Sequence, residues 1–147
     1  MSLKEQMTAA MKEAMKAKQS ERLGTLRMLI SAIRNKEIEK REELDDAAVI
    51  EVLSSFVKQR REAADVYRKN DRADMAEGEE REMLIAQEFL PAQLSEEEVR
   101  ALVDAVVADL EADSMKDMGR VMKVLTEKTR GQADGRLVSD LVRAKLQ

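Results

Sequence analysis

Four carboxylates, Glu77, Glu79, Glu80 and Glu82, cluster within six positions of the sequence. Oxygen ligands of this kind hold a hard divalent cation when they converge. On a helix, successive positions point in different directions, and only residues three or four apart are neighbours. The cluster is therefore expected to be a solvated face with weak i,i+4 pairs such as Glu77–Arg81, and no metal site is expected. Other catalytic chemistry lacks its reagents. The sequence has no Cys and no His, which removes thiol nucleophiles, the usual zinc ligands and the commonest general base. Gly131 and Gly135 stand in polar surroundings, and no glycine is followed by the Lys and Ser/Thr of a phosphate loop. No catalytic residue and no cofactor are expected.

Cations are the remaining candidates, and what they do is bind anions. Lys116, Arg120 and Lys123 share one stripe of a predicted helix, opposite Met118, Val121 and Leu125. Lys128 and Arg130 follow at its end, and Arg136 lies in the next turn. Gly131 and Gly135 would let the backbone approach a phosphate closely, with Asp134 capping the next helix. The competing explanation is a solvated face whose cations complement the helix C-terminus. With 2% aromatic residues, base stacking is disfavoured, so RNA would be recognised by shape and phosphate. A second row, Arg27, Arg34 and Arg41, recurs every seven residues near the edge of an apolar face, where its guanidinium groups are expected to reach the acidic middle helices. Net charge is −4 but unevenly spread: residues 1–41 carry +5, residues 42–113 carry −13 and residues 114–147 carry +4. The acidic middle should repel RNA, leaving the N-terminal part few contacts.

The elements that position these residues all read as helices; no strand-like alternation lasts five residues. Helix 1 starts at Ser2 with Glu5 as a capping box and buries Leu3, Met7, Met11, Ala14 and Met15. The Met7/Met11/Met15 stripe reads as core rather than as a peptide groove. Helix 2 runs from about Ser20 to Arg41 and buries Leu23, Leu26, Ile30 and Ile33. Helix 3 is capped by Asp45 or Asp46, runs through Phe56 and Tyr67 and stops near Asn70. Helix 4 begins near Asp71 and carries Met75, Ile85, Ala86 and Phe89. Pro91 then denies Leu90 helical geometry, and Ser95 with Glu98 opens helix 5 as a second capping box, stapled by Leu94 and Val99. Helix 6 is capped by Ser114, Gly131 ends it, and Asp134 caps helix 7. The expected fold is all-α: a four-helix lobe over 1–90 and a small three-helix domain over 95–147. No signal peptide and no membrane-length apolar run are expected, and the lack of cysteine fits the cytoplasm.

Several runs resemble the YqeY branch of the GatB/YqeY family. They are Lys58-Gln59-Arg60-Arg61-Glu62 with Tyr67 and Arg72, then Glu88 through Ser95, then Asp117-Met118-Gly119-Arg120-Val121-Met122, and Gly131 through Val138. The resemblance covers essentially the whole chain. It implies that the C-terminal domain is similar to the tail of the B subunit of the tRNA-dependent amidotransferase, a tRNA-contacting appendage that performs no chemistry. It also implies a family description as a carbon–nitrogen ligase with glutamine as amido-N-donor, inherited from the larger enzyme, whose Ser/Ser/Lys amidase segment has no counterpart in this sequence. Gln132 stands where a basic residue is common in such relatives. The implied function is a non-catalytic adaptor associated with tRNA or a tRNA-linked complex. The alternative from another class is a protein-interaction module that docks partner helices on its Met- and Leu-rich faces.

Overall fold

The structure, a computed structural model, describes residues 1–147. It is all-helical: α1 (Leu3–Lys16), α2 (Ser20–Lys40), α3 (Asp46–Lys69), α4 (Ala73–Gln87), α5 (Glu96–Asp109), α6 (Met118–Thr129) and α7 (Gly135–Leu146), with a 3₁₀ turn at Met115–Asp117 before α6. Contacts divide it into two compact units, Met1–Leu90 and Pro91–Gln147.

In the first unit α3 packs most extensively on α4, and α1 on α2. Met7, Leu26, Leu29, Val49 and Leu53 are fully buried, and Leu3, Met11, Leu23, Ile30 and Phe89 pack partly buried around them. The methionine stripe is core only at its start: Met15 is 49% exposed. The helix ends one residue later, and in that last turn Ala14, not Met15, faces the core. Helix 4 begins later than Asp71 because Asp71 closes α3 in the left-handed region (φ 58°), where the Arg72 N–H donates to the Tyr67 carbonyl. Lys18 and Glu111 close α1 and α5 in the same way without glycine.

The carboxylates of α4 are a correction to the solvated-face reading. Glu79 and Glu82 both pair with Arg60 of α3, at 3.4 and 2.7 Å, and Glu80 pairs with Arg68 at 2.6 Å. Arg60 also lies over the Phe56 ring, 4.1 Å from its centroid. Arg81 does not pair with Glu77 but donates from Nε to Glu21 of α2 at 2.6 Å. Partner choice here is tertiary: helices packed side by side bring opposite charges together that helix spacing alone would leave apart.

Between α1 and α2, Lys4 Nζ donates to Glu37 at 2.7 Å, and Glu37 also accepts the Leu44 N–H at 2.9 Å. The bond from Lys4, then that from Leu44, holds the Glu37 carboxyl below the usual carboxylate range, and the Glu37 bond raises Lys4 above the usual lysine value. A depressed carboxyl contributes stability that is complete above its unfolded value and lost as pH falls through its folded value. Glu37→Gln should therefore flatten the loss of stability of the first unit as pH falls from about 5 toward 2. Denaturant titrations of both proteins across that range check this; parallel curves would refute it.

The second unit closes on Val99, Val103, Val106, Val121, Leu125, Val138 and Val142. Ser95 and Glu98 form a complete capping box at α5. Ser114 does not cap α6 with its side chain. Asp117 shapes that connection instead, accepting the Asp113 N–H at 3.1 Å, and the chain makes one 3₁₀ turn before α6. The stretch before Ser95 belongs to this unit. The Leu94 N–H donates to the Gln132 carbonyl at 2.8 Å, Gln93 Nε2 to the Gly131 carbonyl at 2.7 Å, and Gln132 Nε2 to the Ala92 carbonyl at 3.2 Å.

Candidate functional site

The sequence-predicted cations all lie on the surface of the second unit, but they are not equivalent. Lys116 sits in the 3₁₀ turn and not on α6, so the three-residue helical stripe is shorter than expected. Arg120 and Lys123 occupy the solvent ridge of α6, opposite buried Val121 and Leu125, as the 100° helical step requires. Glu127 follows Lys123 by one turn on the same ridge. Lys128 lies to one side of that ridge, in the last turn, and Arg136 opens α7.

Arg120 is a structural bracket. It pairs with Asp117 at 3.0 Å and donates to the Leu110 carbonyl at 3.3 Å, tying the start of α6 to the end of α5. Asp117 is held below the usual carboxylate range, first by the Asp113 N–H and then by Arg120. Arg130 also has an interaction partner of its own. Lys116, Lys123, Lys128 and Arg136 are the exposed cations of this surface that make no ion pair. The other cations of the region are bound elsewhere: Arg143 to Asp140 at 3.4 Å and Lys145 to Asp104 at 3.4 Å.

The glycine loop works differently from expectation. Gly131 has φ 73°, the left-handed conformation that ends α6. The backbone around it is already bonded inward: the Gln132 and Ala133 N–H groups both donate to the Thr129 carbonyl, at 2.8 and 3.2 Å, while the Gly131 and Gln132 carbonyls accept from Gln93 and Leu94. These groups do not offer a cradle for phosphate, and Gly131 is there to make the turn. Gln132, the position read as a lost basic contact, is the clasp that holds Ala92 and Leu94. No sequence motif announces that role, because its partners lie about forty positions away. Gly135 is different. It starts α7 beside the Asp134 cap, which accepts the Arg136 N–H at 3.2 Å, and a Cβ added there would meet nothing within 4 Å.

This contrast gives a paired test. Gly131→Ala should cost about 1 kcal/mol, the strain of a non-glycine residue in the left-handed region. Gly135→Ala should be neutral or slightly stabilising, since alanine is the better helix former. Urea unfolding of the two variants measures this, and equal effects would contradict the assignment.

What this surface offers chemically is electrostatics. It holds exposed ammonium and guanidinium donors beside a helix start that Asp134 caps. Arg27, Arg34 and Arg41, expected to reach the acidic helices, form no ion pair with them; Arg22 and Arg81 make those links instead, to Glu88 and Glu21.

Comparison with known proteins identifies the family. A family model described as Yqey-like protein matches residues 4–146. The chain is 38% identical over 105 residues to altered inheritance of mitochondria protein 41, mitochondrial, of Eremothecium gossypii, covering 69% of this chain and 57% of that one. It is 38% identical over 104 residues to the protein of the same name from Lachancea thermotolerans, covering 68% and 55%. The chain thus spans little more than half the length of these relatives. It is also 45% identical over 67 residues to the E subunit of the glutamyl-tRNA(Gln) amidotransferase of Thermococcus gammatolerans, covering 43% of this chain and 11% of that protein.

Proposed function

We propose, from the premise that this chain belongs to the Yqey-like protein family, that it is a non-catalytic adaptor that binds tRNA or a closely related folded RNA through its second unit. The observation that carries the proposal is the set of exposed, unpaired cations Lys116, Lys123, Lys128 and Arg136 around α6 and the start of α7. Similarity to a protein whose name includes glutamyl-tRNA(Gln) supports RNA as the polyanion. Carbon–nitrogen ligation forms no part of the proposal. That reaction needs a nucleophile or general base beside an activated carbonyl, and this surface presents cations. The working compartment in our reading is the cytoplasm, which a cysteine-free chain suits; no helix is long and apolar enough to cross a membrane.

Anisotropy of labelled tRNA with the full chain tests the proposal. Neutralising four phosphates implies that affinity falls about a hundredfold between ~50 and ~200 mM salt. Affinity that ignores salt would point instead to apolar docking of a protein partner. Ile38, Leu84 and Val66, each more than half exposed, are the residues that favour this second reading.

A further inference from the structure

Nine arginines lie in the unit Met1–Leu90. Arg22, Arg60, Arg68, Arg72 and Arg81 pair with carboxylates, and Arg61 also has a partner. The three without ion pairs are Arg27, Arg34 and Arg41, all exposed. They recur every seven residues along one helix and its C-cap, so about 10.5 Å separates each from the next along its axis.

Their isolation has a cause in the sequence of α2. The buried face of the helix is Thr25, Leu26, Leu29 and Ile33. Arg27 lies almost opposite that face, and Arg34 and Arg41 drift toward its edge by about 20° per seven residues. The positions three or four away from Arg27 are Leu23, Gly24, Ile30 and Ser31; from Arg34 they are Ile30, Ser31, Glu37 and Ile38. The one carboxylate among them, Glu37, bonds Lys4 and the Leu44 N–H and feels the charge of Arg34 without forming an ion pair with it. Gly24 leaves open space around the ridge. Arg27 therefore stands above small or apolar neighbours only, while Arg34 and Arg41 have carboxylates nearby, Glu37, Glu42 and Glu43, but form no ion pair with them. In a unit that pairs its six other arginines, such a row has an electrostatic consequence: it is a positive track on a surface otherwise rich in carboxylates.

From this we infer that the α2 ridge is a second polyanion-binding site, and that its ligand is the phosphodiester backbone of a helical nucleic acid. A straight row of planar guanidinium groups fits regularly spaced phosphates, which guanidinium binds bidentately. No aromatic side chain lies on the ridge for base stacking. Lys12 extends the positive surface onto α1, since it lines the same groove as Arg34. Glu42 and Glu43 border Arg34 and Arg41 at the far end, so Arg27 contributes most. The inference shares with the proposed function the premise that the partner is a nucleic acid, but it rests on different residues.

The test uses the full chain and a short labelled RNA duplex, with Arg27→Gln, Arg34→Gln and Arg41→Gln combined. Glutamine matches arginine in helix propensity, and no ion pair is removed, so the thermal midpoint should hold. Duplex affinity should fall about tenfold or more near 100 mM salt, and the log–log salt slope should become shallower by about two to three. A separate variant carries Lys123→Glu, Lys128→Glu and Arg136→Glu in the second unit. If only the α2 variant weakens binding, this inference stands and the second-unit reading fails; if only the second-unit variant does, the inference is wrong. Sedimentation with vesicles containing phosphatidylserine is the remaining arm: vesicle binding lost in the α2 variant, with duplex binding intact, would overturn the inference in favour of a membrane surface.

Discussion

Leu125→Ala should unfold residues 91–147 while residues 1–90 stay folded. Leu125 is completely buried in the second core, in one cluster with Val99, Val103, Val121, Val138 and Val142. Deleting its branched end removes apolar burial and leaves a cavity that the valines, stiff at χ1, fill poorly. The cost of such a truncation is about 3–4 kcal/mol. A unit of this size holds on the order of 3–8 kcal/mol in total, so one substitution consumes a large share of it. The first core has its own leucines, Leu26, Leu29 and Leu53, and none of them packs in the cluster that contains Leu125. Hydrogen exchange resolved by segment is the suitable measurement: protection should be lost across α5, α6 and α7 and retained in α1 to α4. Uniform loss along the chain would show that the two units fold as one.

The second large effect concerns RNA. Lys123→Glu, Lys128→Glu and Arg136→Glu together should lower tRNA affinity by one to a few orders of magnitude at moderate salt. None of these side chains makes an ion pair, so their reversal changes the field at the surface and little else. The repulsion added between a carboxylate at position 123 and Glu127 is worth about 0.3–0.5 kcal/mol. Arg120 is left alone, because reversing it would break its bonds to Asp117 and Leu110 and confuse loss of binding with loss of structure. Arg143→Glu serves as the control: it changes charge in the same unit at a residue already paired with Asp140. The proposal fails if the control weakens binding as much as the triple variant does, or if neither has an effect.

The helices were legible in the sequence because their signals are local. The apolar period, the Pro91 break and the Ser95–Glu98 box each act within one turn, and the structure shows all three. Much of what was not legible depends on residues distant along the chain. Arg60 finds Glu79 and Glu82 only because α3 folds back against α4, so helix-wheel reasoning assigned those carboxylates to solvent. Arg120 looked like a free cation because its stripe is exposed, whereas its bonds run along the helix to Asp117 and back to Leu110. The reading of Arg27, Arg34 and Arg41 failed in the opposite direction, since it supplied acidic partners that the helix does not turn them toward. For Arg60 and the α2 arginines the sequence tells which residues carry charge, and tertiary packing tells which charges cancel; Arg120 and Asp117, three positions apart, were a local pair within reach of helix spacing.

The clasp of Ala92, Gln93 and Leu94 onto Gly131 and Gln132 has a consequence for portability. Genes exchange pieces at their joints, and here the natural joint is not where the helix begins. A fusion cut just before Ser95 would carry all three helices into a new host and discard the stretch of chain that three hydrogen bonds fasten to the α6–α7 loop. A fusion that starts at Pro91 would carry its own collar. The proline that separates the two units thus also marks the edge of the piece that can travel.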